Sequence, residues 1–306
     1  MSTSKSAILG ALGLRTLAPA SGTTETKQAP AAKLTAAEMV MPKTLTASAK
    51  HELEDELYDL HSRIFRGVDK ASFVKYVIDS RAEHTWIQLY RGEDGELGGY
   101  LAVHIYEREI DGKKIAIVRG ETGTLRKYRG ANLVGGFFAE RVVRYLAAHP
   151  LRRLYFLGSL VHPSSYSQFV RFHDGVWPRE GVETPAEILA LMNALGDAFG
   201  IDRVNPENAL VRKVGWQTID SHTDRAYWER NERPGVQFFL RENPGYEEGH
   251  GLLTLAPLTL GAVTRGVARY MFAKTGRRAR QLAARARKGV AGLLPASTSE
   301  TATSAQ

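Results

Sequence analysis

Apolar and polar positions alternate with a period that changes several times along the chain, and each change marks an element. Over residues 51–65, Leu53, Leu57, Leu60 and Ile64 recur at helical spacing, and a second helix is expected over 70–80. The period then shortens. Residues 84–91 and 97–108 read as strands joined by the turn Gly92-Glu93-Asp94-Gly95. In the second strand Tyr100, Ala102, His104 and Tyr106 share one face, while Leu101, Val103 and Ile105 share the other. A largely buried strand follows near 114–125. After Gly130 the helical period returns, with Leu133, Val134, Phe137, Phe138, Val142, Tyr145 and Leu146 on one stripe and Glu140, Arg141 and Arg144 between them. That helix should end at Ala148.

Residues 153–161 form a further apolar strand. Pro163 suits the first turn of a new helix, whose free N–H groups Ser164 and Ser165 can help to satisfy. A loop over 173–185 leads to a helix over 186–199, and the run 236–240 reads as a strand. Residues 1–48, rich in Ala, Ser, Thr and Pro, are expected to be disordered. Lys5 and the stretch 7–14 imitate a signal peptide, but Arg15 interrupts its apolar core and no cleavage signal follows.

The segment from Gly123 to Leu133 carries the first chemical signal. Arg126, Lys127, Arg129 and Gly130 lie where a strand gives way to a helix, and helix N-termini with nearby cations bind phosphate. An ordinary strand-to-helix junction with solvated arginines has the same composition. Composition narrows the field further. The 306 residues are 43% hydrophobic and 24% charged, as in a soluble globular protein, and the absence of cysteine excludes disulfides, thiolate zinc sites and cysteine nucleophiles. No P-loop, serine elbow or metal-ligand spacing is present, so no metal is expected.

The order of elements over residues 50–175, and less closely to 240, resembles the GNAT superfamily of N-acetyltransferases. A helix pair, a hairpin, a strand, a basic turn, a helix and a second strand follow one another as in that family. The resemblance implies an α/β (α+β) fold, with a mixed, mostly antiparallel central sheet flanked by helices. It implies that the strand over 153–161 and the helix after it splay from the preceding pair to admit an acyl thioester. The family's turn signature is Arg or Gln, two residues, Gly, one residue, then Gly or Ala. Here Arg129 fills the first place, while Asn132 and Val134 stand where small residues are expected. The donor, a coenzyme A thioester, would lie on Arg126, Lys127, Arg129, Gly130 and Asn132. The segment 211–217 resembles the family's late Gly-aromatic element.

Transfer from a thioester to an amine needs a base for the amine and an acid for the leaving thiolate. Glu121, at the end of the strand beside the turn, is the candidate base, or else a carboxylate paired with Arg119 or Arg126. Tyr166, near the start of the helix after the second strand, resembles the family's tyrosine acid, or else packs half-buried. His104 and His162 are candidates for the acceptor cleft, His104 alternatively lying on the less buried side of a sheet.

Charge is unevenly placed. From Gly261 onward lie 9 of the 41 basic residues and 1 of the 33 acids, which leaves 32 of each in the remainder. Val263, Val267, Tyr270 and Met271 form a stripe, and the span from Arg265 to Lys288 reads as a basic amphipathic segment for an anionic membrane surface or a partner. Nucleic acid is not expected, since few aromatics interleave with the basic residues and the body is neutral. The organisation expected is thus 1–48 disordered, 49–260 a GNAT-like acyltransferase domain with an inserted helix at 186–199, and 261–306 a basic tail. The function expected is acyl transfer to an amine from acyl-CoA or acyl carrier protein, resembling the N-acyl amino acid and acyl-homoserine lactone synthases. The setting expected is cytoplasmic, with peripheral membrane contact. A catalytically silent GNAT-fold module acting through its tail is the alternative.

Overall fold

The computed structural model describes residues 33–291, apart from Asp111, 130–133 and Ser221. The chain enters on β1 (Leu34–Val40) and forms α1 (Ala47–Ser62), which Thr46 caps by accepting a bond from the Ala49 N–H. Leu53, Leu57 and Leu60 point from α1 into the core, as their spacing predicts. After β2 (Phe65–Arg66), the expected second helix is wound in two ways. It begins as α2 (Lys70–Phe73) and widens into a π turn over Val74–Ile78.

A meander follows, made of β3 (His84–Gly92), β4 (Leu97–Ile110) and β5 (Lys113–Thr124). Next come α3 (Val134–Ala148), β6 (Arg153–Leu160), α4 (Pro163–Phe172), α5 (Ala186–Ala198), β7 (Arg203–Asn205), β8 (Asn208–Lys213) and β9 (Gln217–Thr218). The chain then forms α6 (His222–Glu229), α7 (Pro234–Glu242), β10 (His250–Leu258) and α8 (Leu260–Ala291). Eight strands make one sheet in the order β1-β3-β4-β5-β6-β10-β8-β7, with β2 and β9 paired apart from it. All neighbours in the large sheet are antiparallel except β5 and β6. This is the mixed, mostly antiparallel, helix-flanked sheet expected from the element order.

Both faces of the sheet are covered. On one, Leu53, Leu57 and Leu60 of α1 pack with Ile87, Leu89, Tyr100 and Ala102, and Met192 and Leu195 of α5 pack with Ile117, Leu157 and Leu255. On the other, Phe137, Val142, Tyr145 and Leu146 of α3 meet Leu101, Val103, Ile105, Val118 and Phe156. A fully buried Leu such as Leu57 contributes about 2 kcal/mol by its removal from water. Arg212 of β8 is also fully buried. It donates to Asp197 (2.6 Å), Asn193, Ala209 and Ile201. Gly196 makes room for it, since a Cβ there would lie 2.9 Å from the guanidinium carbon.

The parallel pair positions the site. Its ladder runs only from Ile115–Arg153 to Val118–Phe156. β5 nevertheless stays on β4 as far as Thr124, and β6 stays on β10 as far as Leu160. The sheet therefore splits into a wedge between β5 and β6, where the resemblance places one.

Four features depart from the sequence reading. Residues 34–40 lie within the stretch expected to be disordered, yet they form β1 on the edge beside β3. Its middle residues are all exposed, so it leaves no apolar periodicity to read. Residues 236–240 are not a strand but part of α7, which Pro234 opens at its first turn. An apolar run of that length does not separate the two periods by itself. β10 was not anticipated, because its near-continuous apolar run lacks alternation and contains Pro257. Leu255 exchanges both backbone bonds with Trp177. Pro257 faces that same side, past the bridge, so its missing N–H interrupts no bond to β6. Finally, both faces of β4 are buried from Leu97 to Tyr106, so His104 does not lie on a half-exposed side.

Candidate active site

Beyond the last β5–β6 pair, Arg119 and Glu121 project onto the face covered by α1 and α5. His104, two residues along β4 from the partner of Glu121, projects onto the same face. Its Nε2 lies 2.9 Å from Glu121 Oε2, and Arg119 Nη2 lies 3.9 Å from Oε1. The imidazole–carboxylate contact is close but poorly aligned, leaving both atoms without a well-formed hydrogen bond. On the other side of the ring, Ser80 Oγ (2.9 Å) and Thr85 Oγ1 (3.1 Å) meet Nδ1. His104 is fully buried, whereas the Glu121 side chain keeps 15% exposure. Burial would raise the Glu121 carboxyl, but the His104 charge and contact, followed by Arg119, outweigh it and hold it below its ordinary value. Glu121 is thus an anion at the opening of the wedge. Burial, then the charge of Glu121, pushes the neighbouring Tyr100 hydroxyl well above its ordinary value.

A second cluster closes the mouth of the wedge. Asp220, from the segment between β9 and α6, joins both lips. Its Oδ1 accepts from Arg129 after β5 (3.2 Å), and its Oδ2 lies 2.9 Å from His162 Nε2 after β6. His162 Nδ1 is 2.6 Å from Ser164 Oγ and accepts from the Ser164 N–H at 3.2 Å, capping α4. The edge of His162 meets the Trp228 ring at 5.2 Å. Burial raises the Asp220 carboxyl, but the bond from His162, with the charge and bond of Arg129, overcomes this and leaves it below its usual range.

The expected donor residues are all engaged where they are described. Arg126 makes a two-pronged pair with Asp224 at 2.9 Å, and Lys127 pairs with Glu96. Arg129 is held by Asp220 as above. Gly130 and Asn132 lie outside the described residues. Tyr166, the candidate acid, is buried, stacks on Phe238 and donates its hydroxyl to the Pro178 carbonyl at 2.7 Å. Its proton is committed to the backbone, so the acid role would need that bond to open. Trp216 of the Gly-aromatic element packs edge-on against His61, their centroids 4.5 Å apart. Sequence reasoning had no signal for Asp220. It lies in a polar turn 58 residues from His162 and 91 from Arg129, and only the fold brings the three together. Ser80 and Thr85 were missed for the same reason.

Among the described residues no group of three or more His, Asp or Glu side chains could hold a metal, and no helix is long and apolar enough to cross a membrane.

No family model matches the chain, and no curated protein matches it either. Among solved structures it is similar to a conserved protein of unknown function from Enterococcus faecalis V583, described as a probable N-acyltransferase. Identity is 13% over 43% of this chain and 32% of that one, with a TM-score of 0.30. It is similar to a GNAT family N-acetyltransferase from Escherichia coli in complex with CoA, at 16% identity over 44% of this chain and 67% of that one, with a TM-score of 0.29. The BH1408 protein of Bacillus halodurans is similar at 15% identity, over 39% and 80% of the two chains, with a TM-score of 0.24. The chain spans about a third of the Enterococcus protein's length. At these values the likenesses carry no functional argument, which falls instead to the geometry.

Proposed function

We propose that the protein is an acyltransferase that moves an acyl group from a thioester, on coenzyme A or acyl carrier protein, to an amine. The observation that carries the reading is an anionic, part-exposed Glu121 at the point where β5 and β6 separate. The acyl thioester enters the wedge, and an amine approaching from the side of α1 and α5 gives its proton to Glu121. The nitrogen attacks the thioester carbonyl, the carbon–sulfur bond breaks, and the thiolate leaves. His104 and Arg119 keep the carboxylate charged before the amine arrives, and Ser80 and Thr85 hold the imidazole in place. Arg126, Lys127 and Arg129 supply charge for the donor phosphates, and Gly130 and Asn132, expected beside them from the sequence, lie outside the described residues. The basic span of α8 from Arg265 to Lys288 would bring the enzyme to an anionic membrane, each cation contributing about 1 kcal/mol there.

One observation favours a second reading, a silent binding module. Every described cation of the turn already has a carboxylate partner, so a phosphate must displace Asp220, Asp224 or Glu96 to be held.

Thermal unfolding with coenzyme A, acetyl-CoA and palmitoyl-CoA separates the two. A ligand at one hundred times its dissociation constant stabilises the fold by about 2.7 kcal/mol. A shift with a thioester, together with thiol release in the presence of amines, supports transfer. No shift with any of the three, and no release from acyl carrier protein, supports the silent module.

A further inference from the structure

The cluster at the wedge mouth contains a hydroxyl, an imidazole and a carboxylate in line. Ser164 Oγ lies 2.6 Å from His162 Nδ1, and His162 Nε2 lies 2.9 Å from Asp220 Oδ2. The backbone fixes which nitrogen carries the proton. Because the Ser164 N–H also donates to Nδ1, that nitrogen presents its lone pair, and the ring proton sits on Nε2 facing Asp220. Arg129 holds the other oxygen of Asp220 at 3.2 Å, so the carboxylate cannot swing away without breaking that pair. Exposure rises along the line. The side chains of Asp220 and His162 are 5% and 10% exposed, while Ser164 is half-buried. A buried acid, a shielded base and a hydroxyl less buried than either are what activating a serine requires. Ser164 also lies in the first turn of the ten-residue α4, whose positive end favours negative charge on Oγ.

We infer that Ser164 is a nucleophile, activated by His162 and Asp220, that takes an acyl group from an ester or thioester. This inference rests on the geometry of these three side chains and stands whether or not Glu121 serves direct transfer. Ser164 Oγ bonds to the carbonyl carbon as its proton passes to His162 Nδ1, which gives up its bond from the Ser164 N–H as it takes the proton. The bond from that carbon to the alcohol or thiol breaks, and the departing oxygen or sulfur takes the proton from Nδ1. The acyl-serine is then attacked by water or an amine, whose proton again passes to Nδ1 and returns to Ser164 Oγ as the ester bond breaks. Nothing is oxidised or reduced. The two ring nitrogens exchange the places they hold in the familiar serine triads, which leaves the line of proton transfer unchanged.

The test uses the full chain and a fluorophosphonate bearing a fluorescent reporter, which forms an Oγ–phosphorus bond and expels fluoride. One adduct is expected, on the peptide that contains Ser164, and none in Ser164→Ala. His162→Asn keeps a side-chain oxygen that can cap α4 but removes the imidazole. It should slow labelling by about 100-fold with a melting temperature close to that of the parent. The absence of an adduct on the folded chain, an adduct on Ser165 instead, or equal labelling rates in folded His162→Asn would each overturn the inference. Coenzyme A binding, read by thermal shift, succeeds or fails independently of these outcomes, so the two readings can be lost separately.

Discussion

The fold holds the same four kinds of group twice. His104 faces Glu121, with Arg119 on the second oxygen and the hydroxyls of Ser80 and Thr85 at the far nitrogen. His162 faces Asp220, with Arg129 on the second oxygen and Ser164 at the far nitrogen. What differs is where the open end lies. In the inner set the hydroxyls are buried and the carboxylate is the part that reaches the wedge. In the outer set the carboxylate is sealed and the hydroxyl belongs to the half-buried Ser164. The inner set can therefore offer a base and the outer set a nucleophile. One chemical inventory serves two ends, decided by which terminus water and substrate can touch.

The sharpest way to break this contrast is Glu121→Gln. If the inner carboxylate is the base, the rate of thiol release from an acyl donor in the presence of amine should fall by about 10²- to 10⁴-fold. An unchanged rate would reduce the inner set to a structural ion pair. Next in size, His104→Ala leaves a part-exposed carboxylate to Arg119 alone and strands two buried hydroxyls, at a cost of about 3–5 kcal/mol in urea unfolding. His162→Ala removes a helix cap and one of the two partners of the buried Asp220, which keeps Arg129, and should cost about 2–4 kcal/mol. A cost under about 1 kcal/mol would mean that Arg129 alone satisfies Asp220.

His61 supplies a reference, being a buried imidazole with no carboxylate. Burial lowers its pKa to about 4 from the ordinary 6.5, while Nδ1 meets the Tyr100 hydroxyl at 3.2 Å. Its unfolded form takes up a proton first as pH falls, so its contribution is intact above 6.5 and is lost between 6.5 and about 4. By linkage that window is worth up to about 3 kcal/mol. His61→Phe should flatten this part of the stability–pH curve, and a curve of unchanged slope would show that the ring is hydrated. The smallest effect is expected of Asp224→Asn. Stability should move by no more than about 1 kcal/mol, because the Arg126 side of the pair is 58% exposed. Affinity for coenzyme A should rise in the thermal shift. No gain would mean that Arg126 does not meet the donor.

The parts of the fold that repeat locally were legible in the sequence. Leu53, Leu57 and Leu60 announce α1, and the stripe from Phe137 to Leu146 announces α3. The basic turn and Glu121 were legible as types of residue at a strand end. What escaped depends on long-range partners. β1 buries almost nothing of its own, so its order comes from β3. α6 has no buried residue, and the long-range ring contact of its Trp228 is with His162. Asp220 has no local pattern at all. Its significance is set by two side chains, 58 and 91 residues away, that meet only when the sheet has formed.

β10 sits in the middle of the sheet, between β6 and β8, yet among the described strands it is the last to be made. On a ribosome, β6 must wait while some ninety residues emerge before Leu154–Leu160 meet their partner. During that interval a row of unpaired backbone groups flanked by Leu154, Phe156 and Leu157 stands open to other nascent chains. The rate at which the chain closes is governed by this distant pairing rather than by its helices. Chaperone demand in the cell should then concentrate on the period before residue 250 is translated.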